Sequence, residues 1–174
     1  MTGTAIQIPI IETGRIRLRA PLLADFEHWA AFFASDRSRF ERGPLDRVQG
    51  YRAWAADVAL WTLRGYGAFG MDDRASGAYL GEVGIYQSAE FPAPELGWFV
   101  VPEAEGKGYA FEGAKAVIAW VRETLGWDRL CSIIDPGNAR SISLGLRLGG
   151  VIDPTLPGID PGDVVIRHDL RGAA

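Results

Sequence analysis

Along Gly14-Arg15-Ile16-Arg17-Leu18-Arg19, polar and apolar residues alternate with a period of two, which predicts a half-buried strand. Pro21 then suits the first turn of a helix. Leu22, Phe26, Trp29 and Phe33 follow at helical spacing, predicting an amphipathic helix to about Ser35 with those four residues on its apolar stripe. Gly43-Pro44 breaks the chain. A second helix is expected from about Asp46 to Arg64, with Tyr51, Trp54, Val58 and Trp61 on one stripe and Gly65 closing it. The aromatic stripes read as core, although a short helical pair can also wall a pocket.

Three strands come next: Ala68 to Met71, Tyr79 to Tyr86 and Glu95 to Val101. Turn-forming residues from Asp72 to Gly77 separate the first two, and Pro92-Ala93-Pro94 precedes the third. Such a meander is usually antiparallel. From Ala110 the period changes. Phe111, Ala114, Ile118, Val121 and Leu125 recur every three or four residues until Gly126, predicting a helix. Arg129 to Ile134 reads as a strand, Ala139 to Leu148 as a helix stopped by Gly149-Gly150, and Asp163 to Leu170 as a last strand. Strand, helix and strand around Val101, Ala110 and Arg129 imply one parallel or splayed pairing in a mixed sheet. The expected class is α/β, in one domain over residues 1–174 with a core of about 13–170.

Composition narrows the function. At 48% apolar and 23% charged residues, the chain of 174 residues is neither disordered nor a coiled coil. The single cysteine, Cys131, has no internal partner, and two histidines plus one cysteine make a poor zinc set, so no metal site is expected. A net charge of −4 argues against a general nucleic-acid binder. No apolar run approaches the roughly 20 residues that span a bilayer, and Met1 to Ile11 lacks the basic start of a secretory signal. The expectation is a cytoplasmic protein without membrane or nucleic-acid partners. Between Asp72 and Glu112, eight acids face only two bases, Arg74 and Lys107. That stretch is either a solvated acidic face or a rim that attracts a cationic substrate.

Chemistry concentrates in Pro102-Glu103-Ala104-Glu105-Gly106-Lys107-Gly108-Tyr109-Ala110, after a strand and at the start of the best helical pattern. Two glycines permit a tight turn and close approach to a ligand, and the helix start offers unpaired N–H groups carrying partial positive charge. This is a cradle for a phosphate or pyrophosphate, or else a tight turn with no ligand. It has neither the spacing of a Walker loop nor that of a dinucleotide fold.

Glu95-Leu96-Gly97-Trp98-Phe99-Val100-Val101-Pro102 with Gly106-Lys107-Gly108-Tyr109-Ala110-Phe111-Glu112 resembles the acetyl-CoA-binding core of the GNAT N-acyltransferases. The pattern is most similar to the RimJ/RimL branch of ribosomal-protein N-terminal acetyltransferases. Asn138-Ala139-Arg140-Ser141-Ile142, then Leu148-Gly149, matches that family's Asn-x-x-Ser segment and the end of its next helix. The resemblance covers about Thr13 to Leu170. It implies a mostly antiparallel sheet flanked by helices, with a splayed parallel strand pair holding the cofactor. It implies pantetheine contacts from the backbone of Phe99, Val100 and Val101, and pyrophosphate contacts from the amides of Gly106, Lys107, Gly108, Tyr109 and Ala110. Asn138 and Ser141 would touch the cofactor near its thioester, or else Asn138 simply caps the helix that follows.

The implied reaction is direct acetyl transfer from acetyl-CoA to a primary amine, either a small molecule or a peptide N-terminus, by a monomer or homodimer. Its alternative is a catalytically silent acyl-CoA or protein binder of the same fold. Glu95 is the candidate general base, since burial beside Trp98 raises a carboxyl pKa toward useful values; a salt-bridged strand residue is the other reading. Glu82 on the neighbouring strand is the reserve. Three departures stand out: Glu105 where relatives usually carry Gln or Arg, Gly145 where many carry a general-acid tyrosine, and Gly150 where an aromatic often stands. A carboxylate at 105 repels pyrophosphate unless it turns to solvent or pairs with a base. Cys131, His28 and His168 read as packing or surface residues rather than catalysts. Two loops without a signature, Asp36 to Asp46 and Asp153 to Gly162, are expected to wall the acceptor pocket.

Overall fold

The computed structural model describes residues 6–41 and 43–171. Its strands are β1 (Ile11–Glu12), β2 (Ile16–Arg19), β3 (Ala68–Asp73), β4 (Tyr79–Tyr86), β5 (Glu95–Val100), β6 (Arg129–Ile134), β7 (Val151–Ile152) and β8 (Val164–Asp169). The α-helices are α1 (Asp25–Phe33), α2 (Arg47–Arg64), α3 (Tyr109–Trp120) and α4 (Ala139–Arg147). The strands form one sheet in the order β1-β2-β3-β4-β5-β6-β8-β7. Every neighbouring pair is antiparallel except β5 and β6, which run parallel and meet in register only at Glu95 and Cys131. The sheet is thus mixed, mostly antiparallel and split at one parallel pair, as the sequence pattern implies.

Local chemistry sets the helix limits. Asp46 Oδ1 accepts from the Val48 and Gln49 amides at 2.8 Å each, while Gln49 Oε1 accepts from the Asp46 amide at 3.1 Å. This reciprocal cap contributes about 1 kcal/mol to starting α2. Gly65, left-handed at φ 76°, ends it. The first helix begins three residues later than the apolar spacing predicts. Asp25 is gripped by Arg19 at 2.6 Å and accepts from the Leu22 amide at 2.8 Å, so Leu22 precedes the helix and stays 51% exposed. Tyr51 also leaves its expected core stripe, lying edge-on to Phe26 at 5.1 Å while its outer side meets solvent. After α3 the chain widens into a π turn over Val121–Leu125 before Gly126 closes it at φ 69°.

Alternation along β5 divides the interior. Leu96 joins the main core with Ile16, Leu18, Phe69, Met71, Val83 and Ile85, beneath Ala114 and Val117 of α3. Phe99 points the other way, into an aromatic cluster with Phe26 and Trp29 of α1 and Trp54 of α2. Gly113 lets α3 settle on the sheet: a Cβ there would stand 2.8 Å from Met71 Sδ and 3.0 Å from Val83 Cγ1. No described helix is long and apolar enough to cross a membrane.

Candidate functional site

Past Glu95 and Cys131 the parallel strands part, and a cavity of about 760 Å³ opens on the face of β5 that carries Glu95, Gly97 and Phe99. Register puts Tyr86 beside Glu95, Gly84 beside Gly97 and Glu82 beside Phe99. Two opposed glycines hollow the floor. Tyr86 lies over one of them, its ring 2.9 Å from where a Gly97 Cβ would stand, and its hydroxyl donates to Glu82 Oε1 at 2.8 Å. The α1–α2 layer supplies Trp29, Phe32 and Phe33 to the wall, so the helical pair serves as both core and pocket. Both expected loops contribute too, through Arg39, Phe40, Glu41 and Leu45 on one side and Ile159, Asp160 and Pro161 on the other.

The wall is acidic. Glu41, Asp57, Glu90, Glu95, Asp135, Asp160 and Asp163 line it, against Arg39 among the described residues. Only Glu90 and Glu95 come from the acid-rich stretch between Asp72 and Glu112; the others arrive from distant segments. Within that stretch Asp72 pairs with Arg19, Glu105 with Arg37 and Arg140, and Glu112 with Arg15. The acidic site is therefore assembled by the fold, not by the local acid run.

Glu95 is the most perturbed of these groups. Burial first, then the charge of Glu41, hold its pKa well above the carboxylate range, opposed by a bond from the Ile133 amide. Among the described residues its buried Oε2 has no hydrogen-bond partner and its carboxylate makes no salt bridge. Burial, followed by Asp135, pushes Glu41 up to about 7. Burial, followed by Glu90, does the same to Asp57, also to about 7. Glu82 is 1% exposed and lifted to about 8, chiefly by burial. It is closed off from the cavity, and its link to the lining runs through the Tyr86 hydroxyl.

The glycine loop has the form of an anion cradle. Gly106 and Gly108 are left-handed, at φ 71° and 80°, and Gly108 occupies the N-cap of α3 without any side-chain cap. A Cβ on Gly106 would meet nothing within 4 Å, so the approach is open. Lys107 is exposed and its carbonyl accepts from Arg15 Nη1 at 2.9 Å. Tyr109 lies under the Arg15 guanidinium and donates to Asp73 at 3.3 Å, and Ala110 is half-buried behind it. Glu105 is paired with bases: Arg37 Nη2 donates to its Oε1, and Arg140 Nη1 reaches its Oε2 at 3.2 Å. Its charge is thus offset from two sides, and α4 is tied to the cradle.

Backbone parity corrects part of the strand reading. The Leu96 carbonyl accepts from Ser132 Oγ at 2.7 Å, toward β6, whereas the Val101 amide donates to Leu80 at 2.9 Å, toward β4. Alternation then turns the polar groups of Trp98 and Val100 toward the gap, and those of Phe99 and Val101 toward β4. The Val101 carbonyl also accepts from the Ala104 amide at 2.9 Å. Trp98 is the residue that the sequence leaves unassigned here, because parity needs an anchor that only the fold supplies. Phe99 contributes its ring, stacked on Phe32 at 5.0 Å in the cavity wall. The Val100 carbonyl accepts from Arg37 Nη2 at 2.9 Å.

Asn138 Oδ1 accepts from the Ser141 amide at 3.2 Å, so Asn138 caps α4 with Ser141 in the first turn. A Cβ on Gly145 would stand 2.7 Å from Ile166 Cδ1, and one on Gly150 would stand 2.4 Å from Ile166 Cγ2. Both departures from the family pattern are thus places where α4 and its exit press onto β8. The Cys131 thiol is buried and pushed up to about 12, which suits a packing residue. His168, buried against Ser132 Oγ at 3.1 Å, is driven down to about 4 and stays neutral. His28 is exposed and stacks on Tyr79 at 4.9 Å.

The family model for the acetyltransferase (GNAT) domain matches residues 15–151. An acetyltransferase from Agrobacterium tumefaciens str. C58 is 37% identical, with 97% of this chain and 98% of that one covered at a TM-score of 0.89. RimL, a ribosomal L7/L12 α-N-protein acetyltransferase solved with coenzyme A, shares the fold at 13% identity and a TM-score of 0.72, with 92% and 98% covered. The uncharacterized protein YkkB of Bacillus subtilis (strain 168) is 29% identical over 94 residues, 53% of this chain and 50% of that protein. The matched segment spans about half the length of that curated relative.

Proposed function

Since this chain belongs to the GNAT acetyltransferase domain family, we propose that it moves an acetyl group from acetyl-CoA to a primary amine by direct attack, as one catalytic domain. The uncapped start of α3 suits the donor's pyrophosphate, held by the amides of Gly106, Lys107, Gly108, Tyr109 and Ala110. The gap-facing backbone of Trp98 and Val100 suits the pantetheine arm, and the N-terminus of α4 at Asn138 and Ser141 borders the same groove. Arg37 and Arg140 hold the charge of Glu105 away from the phosphates.

The observation that carries this reading is Glu95, whose buried Oε2 lacks a donor among the described residues where the strands part. An ammonium arriving there supplies that donor, and its positive charge stabilises the ionised carboxylate. Glu95 then accepts a proton as the free amine attacks the thioester carbonyl. The C–N bond forms, the C–S bond breaks, and the thiolate leaves with little help because a thiol is far more acidic than an alcohol. The thiolate takes up the second proton that the nitrogen sheds. A gap-facing amide on β5 suits the developing oxyanion.

Titration calorimetry with acetyl-CoA, followed by thiol-release assays on amines, tests the proposal. Binding that Gly108→Trp abolishes supports the cradle. Glu95→Gln is expected to lower kcat by about 10²- to 10⁴-fold with acetyl-CoA affinity retained. Absence of binding by the folded wild type refutes the donor assignment.

A further inference from the structure

We infer that the acceptor is a small polycationic amine, one ammonium being delivered to Glu95 while a second is held by Asp57 on α2. This rests on the acetyltransferase reading above and specifies its substrate class. A cavity of about 760 Å³ is far larger than one ammonium requires, and its acids come from several segments of the chain. Glu95 feels the opposing charges of Glu41, Asp163 and Asp57 at once, so it sits among carboxylates contributed by three other segments. Glu41 in turn faces Asp135, and Asp57 faces Glu90. Among the described residues, the charges acting on Glu41 and on Asp57 are thus of their own sign, and burial works against the ionisation of Asp57. A monocation at Glu95 relieves one of these groups and leaves Asp57 uncompensated. A second ammonium relieves both.

The surfaces between the acids suit the spacer of such a molecule. Trp29, Phe32, Phe40, Tyr86 and Phe91 line the same cavity. Their faces attract cations and pack against methylene or ring carbons. A peptide N-terminus fits less well. It brings one positive charge, followed by amide N–H and C=O groups that need partners along a wall made largely of aromatic rings and carboxylates. Arg39 is directed elsewhere: its guanidinium lies 4.2 Å from the Phe40 ring centroid and donates to the Asp36 carbonyl at 3.0 Å.

The test uses the full chain with saturating acetyl-CoA and thiol release as the readout. A ladder of α,ω-diaminoalkanes is compared with n-alkylamines of matched length and with a short peptide bearing a free N-terminus. At the best length, kcat/KM for the diamine is expected to exceed that of its matched monoamine by about 10- to 100-fold, the worth of one charged hydrogen bond. The difference should lie mainly in KM. Asp57→Asn is expected to collapse that ratio, and Glu41→Gln provides a second probe of the acidic wall should the first variant fold poorly. Equal efficiency on monoamines or on the peptide overturns the polycation assignment and leaves the acetyltransferase reading standing. A ratio untouched in both variants also overturns it. No thiol release with any amine overturns the acetyltransferase reading itself.

Discussion

Gly145→Ala isolates the reason this chain lacks a side chain where relatives place a tyrosine. The new Cβ would stand 2.7 Å from Ile166 Cδ1, with Ile166 Cγ2 and Cβ behind it at 3.5 and 3.7 Å. Ordinary contact begins near 3.4 Å, so the δ-methyl has to give by several tenths of an ångström. Ile166 is 0% exposed and has no solvent to move into. Overpacking of this kind costs about 1–3 kcal/mol. Replacing glycine inside a helix returns about 0.5–1 kcal/mol, for a net loss of about 1–2 kcal/mol. In a domain of this size that lowers Tm by about 2–8 °C. Ile166→Val removes the clashing methyl and costs about 0.5–1.5 kcal/mol alone, but it leaves only the 3.5 Å contact for an alanine to meet. The double variant should therefore be less destabilised than the two singles predict, by about 1 kcal/mol. Thermal unfolding of the four proteins, followed by far-UV circular dichroism, closes the cycle. Additivity within about 0.5 kcal/mol would refute the steric reading and leave the glycine's presence to some other cause.

Stability should fall as pH rises between about 6.5 and 8.5. Glu41 and Asp57 titrate near 7 and Glu82 near 8 in the folded chain, all far above their unfolded values. The native state then holds more protons than the unfolded one across that window, which makes the slope of stability against pH negative. Below about 6.5, neutral His168 opposes the trend, because its unfolded form takes up a proton that the folded form refuses. A Tm that rises from pH 6.5 to 8.5 would contradict the buried-acid account, and Asp57→Asn should flatten the slope. Arg37→Ala should weaken acetyl-CoA binding by about two- to fivefold, more at low salt, since Glu105 then faces the phosphates with only Arg140 beside it. Calorimetry at two ionic strengths measures this, and unchanged or tighter binding would show that the Arg37 pair does not shield the donor.

Much of the scaffold was legible because its signals are local. Asp46 and Gln49 cap α2, Gly65 and Gly126 end helices, and Gly106 with Gly108 shape the cradle, each within a few residues of the element it governs. Glu95 stands out in the sequence because it opens the strand that the resemblance assigns to the donor, and the structure puts it in the cavity wall. The acidic cavity was not legible, because Glu41, Asp57, Asp135 and Asp163 lie on segments whose approach depends on the whole tertiary structure. Of the eight acids in the local run, Asp72, Glu105 and Glu112 pair with Arg15, Arg19, Arg37 and Arg140, and only Glu90 and Glu95 line the cavity. Backbone parity on β5 was hidden for a related reason. Without the bonds from Ser132 and to Leu80, nothing says whether odd or even residues face the gap; with them, the backbone groups of Trp98 and Val100 face it and those of Phe99 and Val101 face β4. Leu22 shows the limit of periodicity alone: its spacing fits the helix, but the ion pair of Asp25 with Arg19 decides where the helix starts.

The parting of β5 and β6 has a mechanical side. The two strands are stitched at one end, by the Glu95–Cys131 register and by Ser132 Oγ on the Leu96 carbonyl, with uncharged His168 backing the stitch. Beyond that point no ladder joins them, so the pair works as a clothes-peg with its spring buried. β5 stays laddered to β4 as far as Val100 and β6 to β8 along its length, so Ser132 and His168 fix the angle at which two braced strands part. Residues that touch neither donor nor acceptor thereby set how wide the jaw stands, and substitutions at the spring should disturb the fit of the reacting groups before they disturb the fold.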